Sequence, residues 1–190
     1  LQKELRPPRR RLATRPRRAA VLVPIIDDGG PQRLLLTRRT DQVGTHKGHV
    51  AFPGGHLEEQ DATLRDTALR ETWEEIALPP QHVHVLGEMD DFPAIHGDLR
   101  VSPWVGQLTH VPALRPNPTE VARIFEVPLE AMSQRDRWRT EMMQRGQYTW
   151  PVYFFDVDGE VVWGLTAYII LKLLSHSPWG SPFEIRTDQF

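Results

Sequence analysis

The 190-residue chain contains no cysteine, which excludes disulfides, thiolate metal ligands and a cysteine nucleophile. The absence suits a reducing compartment. No apolar run approaches the roughly 20 residues of a membrane span. The longest, Ala167 to Leu174, carries Lys172 and has the length of a buried helix. A net charge of −2 argues against broad electrostatic binding of nucleic acid. There is no internal repeat, no sign of a second domain, and no peroxisomal tripeptide in the closing Thr187-Asp188-Gln189-Phe190.

What remains is ordinary in amount and uneven in distribution. Hydrophobic content of 39% and charged content of 25% are those of a soluble globular protein. The expected organisation is a single domain over residues 19–176, a basic flexible arm over 1–18 and a tail over 177–190. Lys3, Arg6, Arg9, Arg10, Arg11, Arg15, Arg17 and Arg18 face a single acid, Glu4, in the arm. A phosphate-attracting edge of the active site and the remnant of a transit peptide are the other readings of that segment. Pro7, Pro8 and Pro16 favour the flexible arm. The chain begins at Leu1 instead of methionine, so residues preceding it are expected, as is a cytoplasmic location, with a mitochondrial one as the alternative.

Punctuation by turn residues gives an alternating α/β reading. Ala19 to Ile26 reads as a strand ending at Asp27-Asp28-Gly29-Gly30, with Arg33 to Arg38 as its hairpin partner. A helix is predicted over Ala62 to Ala77, stopped by Pro79-Pro80. Strands follow over Val83–Gly87, Val101–Leu108 and Val121–Val127, then a hairpin of Tyr153–Val157 and Val161–Trp163, and a last helix over Leu165–Leu174. Glu88 to Leu99 reads as a loop over the site.

The predicted helix carries Glu71, Glu74 and Glu75. At about 100° per residue these share one stripe, with Leu69, Trp73 and Ile76 opposite and expected to face a core. Like charges one turn apart repel, and a hard cation such as Mg²⁺ or Mn²⁺ between them would remove that cost. On its own the triplet reads first as a solvated acidic face. In front of it, Pro53-Gly54-Gly55 forms a tight turn where backbone can approach a ligand. Arg70 can pair with Glu74 one turn on.

The stretch from Gly55 to Leu78 resembles the Nudix box: Gly55, five residues, Asp61, a spacer, Arg70-Glu71, two residues, Glu74-Glu75, and Leu78. It departs from the general motif in having Asp61 for glutamate, an eight-residue spacer before Arg70, Thr72 for an apolar residue and Ala77 for a glycine. The aspartate and the longer spacer are typical of the coenzyme A pyrophosphatase group. The upstream segment is similar to that group's second signature through Leu35, Leu36, Thr37, Arg39, His46, Gly48 and Ala51 to Gly55. Thr67 to Glu71 and Trp163 to Ala167 also match, so the resemblance covers about residues 20 to 175.

This resemblance implies a Nudix fold, a mixed β-sheet between helices in an α/β/α sandwich. It also implies a hydrolase that uses Mg²⁺ or Mn²⁺ to cut the pyrophosphate of coenzyme A or its thioesters. Another nucleoside diphosphate derivative, such as ADP-ribose or NADH, is the alternative substrate, and a non-catalytic ligand sensor the alternative of another class. Glu71, Glu74 and Glu75 are the implied metal ligands, with the Gly55 carbonyl as a further one, and Asp61 is either a ligand or the helix N-cap. Glu120 is the candidate for a further carboxylate, as general base or metal ligand, ahead of Asp90, Asp91 and Asp98. Arg39, His46 and Lys47 are candidates for phosphate binding and Phe52 for ring stacking. Arg38, on the other face of its strand, reads as structural or solvated. Glu58 and Glu59 read as solvated, and Trp163 and Gly164 as core packing. The expected partner is a small-molecule substrate, with no nucleic acid and no membrane, for a monomer or homodimer.

Overall fold

The computed structural model describes residues 17–41, 48–93, 99–146 and 148–184. The elements run β1 (Arg17–Ile26), β2 (Arg33–Arg39), β3 (Val50–Ala51), β4 (Gly54–His56), α1 (Leu64–Ile76), β5 (His84–Glu88), β6 (Phe92–Pro93), β7 (Leu99–Leu108), β8 (Val121–Pro128), α2 (Leu129–Ser133), β9 (Trp138–Arg145), β10 (Tyr148–Val157), β11 (Glu160–Trp163) and α3 (Gly164–Ser175).

β1, a run of small and branched apolar residues, is the strand around which the main sheet is laid. One of its edges pairs in parallel with β7 along its whole length, Arg17 opposite Leu99 to Ile26 opposite Leu108. The other edge is shared. β4 pairs antiparallel with Ala19 to Val21, and β2 with Ile25 and Ile26. Leu22 N–H donates to the Pro53 carbonyl at 2.9 Å, so Pro24, two residues on, aims its donorless nitrogen at the gap between β4 and β2. A proline is tolerated in a central strand at such a gap. β3 and β8 flank β2, and β5 and β6 flank β7, giving a mixed sheet of eight strands. β9, β10 and β11 make a separate three-stranded antiparallel sheet.

Side-chain alternation along the strands feeds two cores. Ala20, Leu22, Ile26 and Leu35 meet Ala68, Ile76 and Leu78 on the α1 side. Val23, Leu34 and Leu36 meet Phe155, Val162, Ala167 and Ile170 of the small sheet and α3 on the other. The resulting architecture is α/β, with helices and the small sheet covering the faces of a mixed sheet. Among the described residues no helix is long and apolar enough to cross a membrane.

Several sequence expectations shift. Arg17 and Arg18, counted with the arm, lie in β1, where Arg18 donates to Asp91 and Ser102. Residues 1–16 lie outside the described residues. The tail is partly packed: Phe183 lies 4.5 Å from the Tyr153 ring, centroid to centroid, with Arg135 over its face at 4.1 Å. The stretch read as a loop over the site contains β6, anchored by Phe92, which is only 2% exposed. β9 is a strand the sequence reading did not assign; most of its described side chains are exposed, so it shows little apolar alternation.

Helix α1 starts at a side-chain cap and ends in a strained turn. Thr63 Oγ1 accepts the Asp66 N–H, so Thr63 and not Asp61 is the N-cap. Ala77 ends the helix in the left-handed region, at φ 55° and ψ 32°, its N–H bonding the Trp73 carbonyl at 2.9 Å. An alanine there stands where the general motif has glycine, and a Cβ costs about 1–2 kcal/mol in this conformation. Ala77→Gly is therefore expected to stabilise the protein by about 0.5–1 kcal/mol after the entropy of the freer unfolded chain is set against it. Thermal unfolding checks this, and a lower Tm would contradict it.

Candidate active site

Glu75 sits on the buried face of α1, not on a solvated stripe. Its side chain is 3% exposed, with Oε1 at 3.6 Å from Arg39 Nη1 and Oε2 accepting the Gly54 N–H at 3.2 Å. Burial pushes its carboxyl up to about 8, against the opposing pull of Arg39, while Glu120 and Glu71 add to the rise. Glu71 is also raised, first by burial and then by Glu74 and Glu120, with Arg70 opposing. Three acids, Glu71, Glu75 and Glu120, thus feel one another's charge.

Gly55 is the residue that lets Glu71 into this place. A Cβ built on it would lie 2.3 Å from Glu71 Oε1 and 2.4 Å from its carboxyl carbon. The β1–β4 pairing holds the Gly55 backbone, so only a glycine leaves room for the carboxylate against it.

Arg70 organises the outer side. It makes a bidentate pair with Asp61, both contacts at 2.9 Å, and reaches Glu74 at 3.0 Å, Glu71 at 3.2 Å and the His56 carbonyl at 3.2 Å. Asp61 also accepts from Thr67 Oγ1 at 2.9 Å, and the Arg70 pair holds its carboxyl far below the usual range. Asp61 is therefore neither the helix cap nor one of the clustered acids; it holds Arg70, which in turn holds the glutamates.

Glu120 is part of a turn bolted to α1. Asn117 N–H donates to the Glu75 carbonyl at 2.8 Å and Arg115 N–H to the Ile76 carbonyl at 3.0 Å, satisfying carbonyls of the last helical turn. The Glu120 carbonyl accepts the Thr40 N–H at 2.9 Å, and Thr40 Oγ1 donates to the Thr119 carbonyl at 3.1 Å. The sequence reading missed Asn117 and Thr40; the bracketing Pro116 and Pro118 were the available signal.

The other sequence candidates divide. Arg39 arrives at the site, beside Glu75, and its Nε is buried without a hydrogen-bond partner. His46, Lys47 and Asp98 lie outside the described residues. Phe52 is 4% exposed in the large core, so its ring faces are spent on packing and offer no stacking surface. Trp73 is 48% exposed, because the sheet covers α1 along Thr67, Ala68, Thr72, Glu75 and Ile76. Thr72, in place of an apolar residue, satisfies its buried hydroxyl by donating to the Ala68 carbonyl at 2.6 Å. Trp163 is not core: it is 36% exposed, stacked on Phe154 and edge-on to His49. Gly164 opens α3 at φ 60°. Arg38 pairs with Glu160 at 3.3 Å, a structural contact. Asp90 pairs with Lys172, and Asp91 with Arg18 and Ser102. Glu58 and Glu59 are exposed.

This donor set suits a hard divalent cation. Glu71 lies against the Gly55 backbone with Glu75 one turn on, and burial together with neighbouring negative charge raises both carboxyls, which a cation would relieve. Among the described residues no three acidic or histidine side chains are already gathered at coordinating positions, and Glu74, 50% exposed, is turned to Arg70.

Comparison with known proteins gives the family. The NUDIX domain model matches residues 16–147. The chain is 46% identical over 173 residues to NudL of Photorhabdus laumondii, an uncharacterized Nudix hydrolase, covering 90% of this chain and 91% of that one. It is 42% identical over 167 residues to NudL of Pectobacterium atrosepticum, at 88% and 86% coverage. Two solved structures share the fold: the C. elegans Ap4A hydrolase in a binary complex and RenU of M. smegmatis, each with a TM-score of 0.51. Their identities are 20% and 22%; each covers 60% of this chain, over 81% and 72% of its own. With the glutamate helix seated on the glycine turn and the family model spanning most of its length, the chain belongs to the Nudix family of hydrolases.

Proposed function

We propose that this Nudix hydrolase cuts the pyrophosphate linkage of coenzyme A and its thioesters, giving adenosine 3′,5′-bisphosphate and 4′-phosphopantetheine or its acyl form. The observation that carries the reading is the segment from Leu35 to Gly55, whose pattern resembles the coenzyme A group, together with the contact of its Arg39 with Glu75.

Glu71, Glu75 and the Gly55 carbonyl would hold Mg²⁺ or Mn²⁺, with Glu74 joining once freed from Arg70. Such an ion would supply positive charge to the phosphates and acidify water. Around it the chain's own groups divide the work. Arg39 contributes positive charge for a phosphate oxygen. Arg70, fixed by Asp61, orients Glu71. Glu120 takes the proton of the attacking water as its oxygen bonds to phosphorus and the bridging P–O bond breaks.

Incubation with Mg²⁺ and a panel of coenzyme A, acyl-coenzyme A, NADH and ADP-ribose, read by product mass, tests this. Release of adenosine 3′,5′-bisphosphate supports it; cleavage of ADP-ribose or NADH alone gives the alternative substrate class, and tight binding without turnover the sensor. Arg39→Ala is expected to lower kcat/KM for coenzyme A by about ten- to a hundredfold, the scale of one charge-assisted contact. An equal loss for ADP-ribose would assign Arg39 to the pyrophosphate common to both. No loss for either would leave it a partner of Glu75 alone.

A further inference from the structure

We infer that Asn117 is a positioning residue that fixes one oxygen of Glu120 and joins it to the helix bearing Glu71 and Glu75. The inference rests on Glu120 acting as the base in the reading above. Contacts around the site close into a ring. The Glu75 side chain meets Arg39; Arg39 is followed in the chain by Thr40; Thr40 N–H bonds the Glu120 carbonyl; and the Asn117 N–H returns to the Glu75 carbonyl.

Asn117 uses nearly every polar atom it has. Its carbonyl accepts the N–H groups of Glu120, at 3.0 Å, and Val121, at 2.8 Å. Its side-chain Oδ1 accepts from Thr119 N–H at 3.2 Å and Thr119 Oγ1 at 2.8 Å, an Asx turn. Those two donors fix which end of the amide is oxygen, so Nδ2 faces Glu120 and donates to Oε1 at 3.4 Å. With Oε1 engaged, Oε2 is the oxygen left to receive a proton. Asparagine is the fitting residue because aspartate would keep the Asx acceptor and replace the donor with a second negative charge.

The test is a double-mutant cycle on metal-loaded enzyme with Mn²⁺ and coenzyme A, or ADP-ribose if the panel selects it. Asn117→Asp is expected to lower kcat by about ten- to thirtyfold, within the range of acid–base groups. KM should hold within about threefold and Mn²⁺ affinity should stay unchanged, since Asn117 supplies no metal ligand. In a Glu120→Gln background the same change should cost less than about twofold, because the carboxylate it positions is gone. Asn117→Ser, whose hydroxyl can replace the Asx acceptor but which lacks the amide group that reaches Glu120, provides the same comparison should the aspartate variant fail to fold. Equal losses in both backgrounds would overturn the inference and leave Asn117 a turn residue. An undiminished rate in Glu120→Gln alone would overturn the base assignment, and the inference with it, while leaving the substrate reading intact.

Discussion

Glu75→Gln should lower kcat by at least about a hundredfold, because a neutral amide is a poor ligand for a hard cation, and it should do so without harming the metal-free fold. The amide oxygen can still accept the Gly54 N–H, and a buried charge is removed. The pH dependence has a definite sign. Burial raises the Glu75 carboxyl from its ordinary 4.5 to about 8, so the folded protein holds this proton more tightly than the unfolded chain. The stability contributed by this group is complete below pH 4.5 and is lost as pH rises towards about 8. In metal-free protein the Tm of the variant should therefore exceed that of the parent increasingly across this interval. Mg²⁺ should raise the parent's Tm most at its upper end, where the carboxylate is free to bind, and the variant's little. A near-normal rate at saturating Mg²⁺, or the same Mg²⁺-dependent rise in both proteins, would sink the assignment of Glu75.

Alanine at the two adjacent glycines should fail in different ways. At Gly54, with φ 154°, a Cβ would stand 2.3 Å from the Ala20 carbonyl oxygen and 2.6 Å from the Val21 Cα, both backbone of the central strand. Gly54→Ala must separate β4 from β1 and is expected to cost about 4 kcal/mol or more, enough to leave little folded protein. At Gly55 the obstruction is the Glu71 carboxylate, the end of a side chain that can turn away. Gly55→Ala should fold, as circular dichroism and thermal melting would show, yet lose Mn²⁺ affinity and most of its turnover. A folded Gly54→Ala protein, or an active Gly55→Ala one, would refute the corresponding half.

The helix, its motif and most strands were legible because their signals are local: prolines, paired glycines, a glutamate stripe, apolar runs. The side of α1 that faces inward was not. A helical wheel treats Glu75 as outward and Trp73 as inward, whereas the sheet meets the side carrying Glu75, since Gly54 and Arg39 supply partners for a buried carboxylate. Asp61 was ambiguous for a similar reason. Its spacing suits a ligand or a cap, and only the path of the linker, which brings it to Arg70, gives it a third task. The prolines around Asn117 marked a turn, but what that turn touches depends on its docking onto the end of α1 from more than forty residues away. Phe52 and Trp163 exchanged roles, the one buried and the other partly open, as an isolated aromatic residue carries no mark of which face it takes.

The pairing of β1 with both β4 and β7 has a consequence for how the chain acquires its shape. β1 emerges first, but its parallel partner ends at Leu108, so on the ribosome the strand waits for the whole intervening segment. The helix with the glutamates can form from local contacts during that wait, whereas the sheet it rests on closes only by a contact distant in sequence. Folding rates fall as such distant contacts dominate, and the edge of β1 that takes β7 stays open meanwhile. The order of synthesis thus delivers the glutamate-bearing helix before the floor on which it rests, which is complete only when β7 lies beside β1.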